Sequence, residues 1–262
     1  MYRHIYVPVD NSEHSNRAID LAVELGQAWG ARLTGCHVYA ARLHDYRFKQ
    51  MEYTLPEEYK DEQELERQRK IHDSLIAMGL QLISDSYLDV MARKAEAAGL
   101  AFRAKTFDGK HYKALIDDAA ASDYDLVIMG ALGMGAVKDS QLGSVTERFV
   151  RRITTDTLIV RNHDALRDQQ GAIVVGLDGS PQSFHGLKIG IALSRALGRS
   201  LHAVAVYDPY LHYAMFNGIV GVLNEKASKI FRFKEQEQLH EEIIDTGLAK
   251  IYQSHLEIGR KL

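Results

Sequence analysis

Short apolar runs and helical repeats of apolar residues alternate along the first part of the chain. Runs typical of buried parallel strands cover residues 5–9, 33–39, 100–106, 126–129 and 157–160. After the first run, apolar residues recur at helical spacing from Ala18 to Trp29. Asn11 and Ser12 are suited to cap the start of this helix, and Gly30 is suited to end it. Further helices are predicted over 71–97, 111–121 and 144–152, and the charged stretch 57–70 is interpreted as a solvated helix face.

This order of elements predicts an α/β fold. Strands that alternate with helices imply right-handed crossovers and an open five-stranded parallel sheet with helices on both faces. In such sheets, ligands bind beyond the carboxyl ends of the strands. Asp10, Val38 and the loop that begins at Gly130 all follow strand ends. We therefore expect them to converge on one site.

A second copy of the opening pattern occurs late in the chain. Residues 4–12 recur as 172–180, and the same offset of 168 residues pairs Asp10 with Asp178 and Gly30 with Gly198. An ungapped offset with so many matches indicates duplication. We therefore predict a complete domain over 1–161, a linker over 162–171 and a second, partial domain over 172–262. The second domain matches only the front part of the first.

The loop after the fourth predicted strand carries the clearest chemical motif. It reads G-x-x-G, nine residues, then G-S, with Gly130, Gly133, Gly143 and Ser144. Glycines allow the backbone to approach an anion closely and to adopt positive φ. Gly143 and Ser144 lie at a predicted helix start, where free N–H groups and the helix dipole attract negative charge. The motif therefore favours a phosphate ligand.

Two other phosphate motifs are excluded, and one structural alternative stays open. A P-loop requires Gly-Lys-Ser or Gly-Lys-Thr, and the sequence contains neither. A dinucleotide fingerprint would follow the first strand and would have a different spacing. The alternative is a flexible loop in which the glycines serve only to form turns.

The sequence resembles the universal stress protein family in three features. These are Asp10 after the first strand, His37 and Val38 at the end of the second strand, and the glycine loop. The resemblance covers residues 1–161 fully and 172–262 in part. It implies a five-stranded parallel sheet, bound ATP or AMP with or without Mg, and a homodimer or an intramolecular pseudo-dimer. By resemblance, Asp10 and Val38 hold the adenine and ribose, and the glycine loop holds the phosphates.

The resemblance also supplies a set of nucleotide-binding residues and one departure from the family pattern. The implied contacts are Pro8, Val9, Asp10, Val38, Met129, Gly130, Gly133, Gly143, Ser144, Val145 and Thr146. Family members usually carry a small hydroxyl residue and then His or Arg between the first two glycines. Ala131 and Leu132 stand there, so one side-chain contact to the ligand is missing.

Composition narrows the class of protein further. The chain has 32 Lys and Arg against 35 Asp and Glu, so no excess positive charge is present to bind nucleic acid. Cys36 is the only cysteine, which excludes an internal disulfide and a thiolate metal site. The twelve histidines form no H-x-x-x-H pair, so no metal site is predicted. No signal peptide or membrane-spanning run of roughly 18 or more apolar residues is evident, so we expect a cytoplasmic protein.

Three functions are compatible with these features. The first is a nucleotide-binding stress-response or signalling module that has no catalytic residues and no robust turnover, and that acts on an unknown protein partner. The second is an enzyme that slowly hydrolyses ATP or transfers a group from it. The third is an interaction scaffold in which the nucleotide is structural.

Overall fold

The computed structural model describes residues 1–52, 54–56, 60–137, 139–161, 171–208 and 246–262. The chain divides into two units, Met1–Asp168 and Gln169–Leu262. Of the predicted linker over 162–171, only Gly171 is among the described residues. The proposed domain boundaries therefore stay a prediction.

The first unit is built on one parallel sheet of five strands. The strands are β1 (His4–Pro8), β2 (Arg32–Tyr39), β3 (Phe102–Asp108), β4 (Leu126–Gly130) and β5 (Asp156–Val160). Their order across the sheet is β3-β2-β1-β4-β5, and every neighbouring pair is parallel. The predicted α/β fold with an open parallel sheet is confirmed. β3 lies two residues later than the prediction of 100–106, because the turn after Gly99 includes Leu100 and Ala101 before pairing with β2 begins.

Five helices connect the strands of the first unit within the described residues. They are α1 (Glu13–Trp29), α2 (Ala41–Glu52), α3 (Glu62–Ala97), α4 (His111–Ala120) and α5 (Ser144–Val150). Ser12 caps α1 by accepting a hydrogen bond from the Ser15 N–H, and Gly30 ends the helix at φ 65°. The helix predicted over 71–97 begins nine residues earlier. The reason is that the Asp61 carboxylate caps the charged stretch and brings it into α3.

The two faces of the sheet carry different helices. On one face, α4 and α5 pack on buried strand residues such as Tyr6 and Val127, and Phe149 of α5 is buried among them. The Tyr6 ring stacks on Tyr124. On the other face, α3 packs on β2 so closely that the α carbon of Gly35 lies beneath Leu88 and Met91. Strands covered on both sides need apolar side chains at every position, which explains the continuous apolar runs in the sequence.

Helix α3 corrects one expectation drawn from the sequence. Among the described residues it is the one helix long and apolar enough, by length and composition, to cross a membrane. Only 17% of its most apolar window is buried inside the protein. The window combines residues that pack on the sheet, such as Leu88, with exposed residues such as Leu82, so it is apolar around most of its circumference. A search for uninterrupted runs of apolar residues does not detect a helix of this kind.

The second unit opens with the same local architecture. It contains β6 (Ile173–Gly176), α6 (Pro181–Leu197), β7 (Leu201–Val204) and α7 (Thr246–Arg260), and β6 pairs with β7 in parallel. Ser180 caps α6 as Ser12 caps α1, and Gly198 ends it at φ 63°. Hydrogen bonds from Ser180 lower the pKa of Asp178 to about 2. These features agree with the predicted tandem repeat, which stays a prediction.

The close seat of α3 on β2 can be tested at Gly35. A β carbon at this position would lie about 3.0–3.1 Å from Met91, Phe102 and Leu88. We expect Gly35→Val to lower the free energy of unfolding by about 1–3 kcal/mol through overpacking, as measured by urea denaturation. Gly79→Ala is the control, because this α3 glycine has no atom within 4 Å of its β-carbon position. It should stabilise the protein by roughly 0.5–1 kcal/mol; equal stability of wild type and Gly35→Val would contradict the described packing.

Candidate functional site

A cavity of about 750 Å³ opens at the carboxyl ends of β1, β2 and β4. The structure brings all of the sequence-predicted site residues to its wall. They are Pro8, Val9, Asp10, Val38, Met129, Gly130, Gly133, Gly143, Ser144, Val145 and Thr146. The volume lies within the range of about 300–1,000 Å³ that small-molecule and cofactor sites occupy. Parallel pairing explains the convergence, since it places the carboxyl ends of adjacent strands at one edge of the sheet.

Asp10 joins the first β–α turn to the glycine loop. Its carboxylate accepts a hydrogen bond from the Ser12 N–H at 3.1 Å and another from the Met134 N–H at 3.0 Å. The Ser12 hydroxyl donates to the Leu132 carbonyl at 3.1 Å. Two hydrogen bonds therefore hold together these two segments, which are distant in sequence, and the third stabilises the first turn itself. A carboxylate with this role is partly used by the protein itself, which leaves fewer of its lone pairs for a ligand.

The two ends of the glycine loop are also bonded to each other. The Gly143 N–H donates to the Ala131 carbonyl at 2.7 Å, and the Ala131 N–H donates to Val160 in β5 at 2.8 Å. The buried Thr146 hydroxyl donates to the Gly130 carbonyl at 2.9 Å. The loop is thus closed at its base, and the side chain of Thr146 holds α5 on β4.

The motif glycines are required for a different reason from the one predicted. None of Gly130, Gly133 and Gly143 has positive φ, and Gly143 has φ −74°. Close approach explains them instead. A β carbon on Gly130 would lie 2.9 Å from the backbone of His14 and Ser15 in α1, and one on Gly133 would collide with the Asp10 carboxylate. The prediction of positive φ at these glycines was wrong, although Asp139 within the loop has φ 67°. The close approach of the glycine backbone to an anion stays a prediction.

Helix α5 begins at the cavity. Gly143 is its N-cap residue, and the first intrahelical hydrogen bond is donated by the Glu147 N–H to the Gly143 carbonyl at 2.9 Å. The N–H groups of Ser144, Val145 and Thr146 therefore precede the helical hydrogen-bond ladder. Because all three residues also line the cavity, the start of α5 offers hydrogen-bond donors beside it.

Helices α3 and α4 supply a wall that the sequence did not reveal. Its residues are Leu80, Ile83, Tyr87, His111 and Leu115. The spacing of apolar residues predicts that α3 is helical, but α3 is apolar on more than one face. The sequence alone therefore gives no signal for the face that meets the cavity.

His37 is both hydrogen-bonded and part of the cavity wall. Its Nδ1 lies 2.8 Å from the Ser84 hydroxyl, which itself donates to the Leu80 carbonyl at 2.8 Å. Because the only hydroxyl proton is used in that bond, His37 Nδ1 must donate, and the neutral ring presents Nε2 as an acceptor. The Tyr87 ring packs edge-on against the imidazole, with 5.1 Å between centroids. His37 is thus both a hydrogen-bonded, partly buried histidine and a residue of the cavity wall.

The charges that line the cavity are acidic. Asp10 and Glu147 are the carboxylates of the wall, and no Lys or Arg lines it within the described part of the chain. Lys138, the single cation of the glycine loop sequence, lies outside the described residues. Cys36 also borders the cavity, but burial raises the pKa of its thiol to about 12, so the thiolate is disfavoured. The described residues hold no cluster of three or more metal-ligating side chains.

Known proteins similar to this chain share one family. The model of the Universal stress protein family matches residues 1–161. A universal stress protein from Thermus aquaticus is 28% identical over 164 residues, which cover 62% of this chain and 100% of that protein. One from Mycobacterium tuberculosis (strain ATCC 25618 / H37Rv) is 28% identical over 212 residues, covering 78% of this chain and 62% of the relative. The chain therefore spans less than two thirds of that mycobacterial protein.

A solved structure supports the fold. The crystal structure of a universal stress protein from Archaeoglobus fulgidus DSM 4304 matches with a TM-score of 0.53 at 16% identity. The match covers 83% of this chain and 73% of the other. At this identity the likeness concerns the fold alone.

The environment of His37 predicts a pH dependence of stability. Burial, and then the neighbouring His111, lower the pKa of His37 below its ordinary 6.5, while Asp10 opposes the shift. Between the lowered pKa and 6.5 the unfolded state binds more protons than the folded state, so stability rises with pH in that window and is lost as the pH falls through it. We expect urea denaturation to show a lower free energy of unfolding at about pH 5.5 than at about pH 7.5.

A pair of variants isolates the contribution of His37. His37→Gln keeps a donor for Ser84 but does not titrate, so the loss of stability on acidification should become smaller. We expect the slopes of unfolding free energy against pH in the variant and in wild type to differ by a fraction of ~1.4 kcal/mol per pH unit, which is the effect of one full proton. His202→Gln, in the exposed part of β7, should retain the wild-type dependence. The same pH dependence in His37→Gln and wild type would argue against a neutral, buried imidazole.

Proposed function

Because the chain belongs to the Universal stress protein family, we propose that its first unit binds an adenine nucleotide, ATP or AMP, and acts as a stress-response or signalling module without robust turnover. The observation that carries the proposal is the cavity at the strand ends, whose wall contains every residue of the implied nucleotide set. The proposed module is cytoplasmic, works as a homodimer or an intramolecular pseudo-dimer, and acts on an unidentified protein partner.

The composition of the wall supports a division of the cavity into two parts. The wall includes the apolar side chains of Val38, Leu80, Ile83 and Leu115, which suit an adenine ring, and the imidazole of His37. The start of α5, with Ser144, provides donors suited to a phosphate. Leu132 stands where family members usually have His or Arg, so the phosphate end depends on backbone groups and Ser144. An adenine nucleotide fits both chemistries.

The same wall supports binding without fast catalysis. Phosphoryl transfer requires charge stabilisation at the transferred group, and an arginine finger alone contributes about 10³–10⁵ in rate. Within the described residues the cavity wall has no Arg or Lys, and its Glu147 carboxylate is paired with Arg151 at 2.8 Å. If Mg accompanies the phosphates, Asp10 and Glu147 are the wall carboxylates that would face it. Occupancy of the site would then bias a conformational or assembly equilibrium.

Nucleotide binding is tested by paired substitutions in the glycine loop. Gly133→Ala places a methyl group on the Asp10 carboxylate, so the loop must move away from the first turn. We expect calorimetry to show ATP and AMP binding weakened at least about tenfold, or ~1.4 kcal/mol. Gly135→Ala is the matched control, because no atom lies within 4 Å of its β-carbon position, and its affinity should stay within about twofold of wild type.

Two further readouts complete this test. The motif G-x-x-G, nine residues, G-[ST] occurs once in the sequence, so one nucleotide per chain is expected from mass spectrometry of the denatured, purified protein. Ser144→Ala should reduce affinity by one hydrogen bond, about 0.5–1.5 kcal/mol. Undiminished binding by Gly133→Ala, or two nucleotides per chain, would overturn the site assignment.

Turnover is tested by single-turnover hydrolysis with excess protein and magnesium. We expect a rate far below ~1 s⁻¹, the low end of ordinary enzymes, because no Arg or Lys lines the described part of the cavity wall to stabilise charge on a transferred phosphoryl group. Glu147→Gln should leave this slow rate unchanged. A rate near 1 s⁻¹ that Glu147→Gln abolishes would make the protein an enzyme. Tight binding with no effect of the nucleotide on assembly or conformation would instead favour the scaffold.

A further inference from the structure

A second pocket opens at the amino ends of β1, β2 and β3, which is the edge of the sheet opposite the larger cavity. Its volume is about 210 Å³. The polar side chains that line it are those of His4, Arg32, Thr34, Arg103 and Asp123. The larger cavity is lined by other residues of the described chain. The pocket is therefore a separate site with its own chemistry.

Three of the polar residues form a hydrogen-bonded row beside the pocket. His4 Nδ1 lies 2.9 Å from Asp123 Oδ1, and His4 Nε2 lies 2.9 Å from the Thr34 hydroxyl. A carboxylate can only accept, so Nδ1 carries the proton, and in the neutral ring Nε2 accepts from the Thr34 hydroxyl. The row has the order hydroxyl, imidazole and carboxylate of a Ser-His-Asp triad, with threonine in place of serine.

The surroundings keep His4 in the protonation state that a general base requires. Burial lowers the pKa of the imidazole below its ordinary value, and Arg32 adds to this shift, whereas Asp123 and Asp125 oppose it. The Tyr124 ring covers the imidazole edge-on. The hydrogen bond with His4 lowers the pKa of Asp123, so its carboxylate is ionised at neutral pH. Arg32 donates to the second oxygen of that carboxylate and fixes its orientation.

The strands form without this row in the second copy of the opening pattern. The offset of 168 residues pairs His4 with Ala172 and Thr34 with His202. β6 and β7 nonetheless pair in parallel, as β1 and β2 do. A hydroxyl and an imidazole at these two positions are therefore not a requirement of strand pairing.

We propose that Thr34, His4 and Asp123 form a catalytic triad that transfers a short acyl group from an ester to water. Thr34 Oγ1 attacks the carbonyl carbon of the ester while its proton passes to His4 Nε2. The tetrahedral intermediate expels the alcohol, which takes that proton from His4, and an acyl-threonine is left. Water attacks the acyl-threonine by the same route, which releases the carboxylic acid and restores the hydroxyl.

The pocket defines the class of substrate. Its volume is below the range of about 300–1,000 Å³ that is typical of small-molecule sites, which favours an acyl group as small as acetyl. Arg103 is the cross-strand neighbour of Thr34, and it forms no hydrogen bond or ion pair with another described residue. Its guanidinium is therefore available to stabilise negative charge on the carbonyl oxygen of the tetrahedral intermediate.

Acyl transfer is tested with an excess of p-nitrophenyl acetate over the full chain. We expect a stoichiometric burst of p-nitrophenol and, after an acid quench, an acetyl group on Thr34 in peptide mass spectrometry. Thr34→Val and His4→Gln should each slow the burst at least about 100-fold, because general-base catalysis typically contributes 10²–10⁴-fold. Thr34→Ser should retain the burst, since it keeps the attacking hydroxyl.

Matched controls separate the triad from hydrolysis by other side chains. His202→Gln removes an exposed imidazole in β7, and Thr157→Val removes a hydroxyl of β5 that donates to the Thr155 carbonyl. Both variants should react like wild type. Circular dichroism and urea denaturation of every variant verify folding, so that loss of the burst is separated from loss of structure.

The positioning role of Asp123 is tested by the pH profile of the burst. The wild-type rate should rise as the pH rises through the lowered pKa of His4 and then level off, because the neutral imidazole is the base. Asp123→Asn should lower the plateau at least about tenfold, since the tautomer of His4 is no longer fixed. The rise should also move to lower pH, because the negative charge that favours the imidazolium is lost.

The opposite results would overturn the proposal. These are a wild-type burst no faster than that of Thr34→Val, or acetyl groups found only on residues other than Thr34. A burst that His202→Gln abolishes would assign the hydrolysis to exposed imidazoles and would also overturn it. Calorimetry with ATP reports on the larger cavity at the opposite strand ends, so the triad and the proposed nucleotide site succeed or fail separately.

Discussion

The hydrogen bonds of the Asp10 carboxylate are the constraint on which the site depends. One oxygen accepts from the turn that starts α1, and the other accepts from the glycine loop at Met134. Without this carboxylate, the loop would lose the acceptor of the Met134 N–H and would keep the bond from the Ser12 hydroxyl to the Leu132 carbonyl. Gly133 is the matching requirement, since only a residue without a β carbon allows the loop to lie against Asp10. Asp10 and Gly133 thus form a complementary pair where the first turn and the glycine loop touch.

This pairing explains which features the sequence could predict. Residues such as Asp10 and Val38 follow continuous apolar strands, and parallel order dictates that strand ends meet, so their convergence follows from pattern alone. The reason for the motif glycines could not be obtained in this way. Whether a glycine serves a positive φ or a close contact depends on what lies opposite it, and for Gly130 that is the backbone of α1.

Helix α3 shows the second limit of sequence reasoning. Its helical state was evident from periodicity, but its start at Glu62 depends on one capping carboxylate, and its faces are assigned by packing. Leu80, Leu82 and Leu88 are chemically identical, yet one lines the cavity, one is exposed and one is buried. A helix that is apolar around most of its circumference carries no periodic signal to separate these environments. The position of β2 beneath α3 is what separates these environments.

The strand order has a consequence for how the chain folds during synthesis. β1 is central, and it pairs first with β2, which follows α1, whereas its other neighbour is β4, whose Leu126 lies opposite Ile5. While β4 is still unsynthesised, one edge of β1 has no partner, and the apolar side chains of a strand that is later fully covered remain accessible. Pairings between residues so distant in sequence form slowly, and exposed strand edges promote aggregation in the meantime. The nascent chain is therefore most vulnerable between the completion of β2 and the emergence of β4, which is the interval in which a chaperone would be of most use.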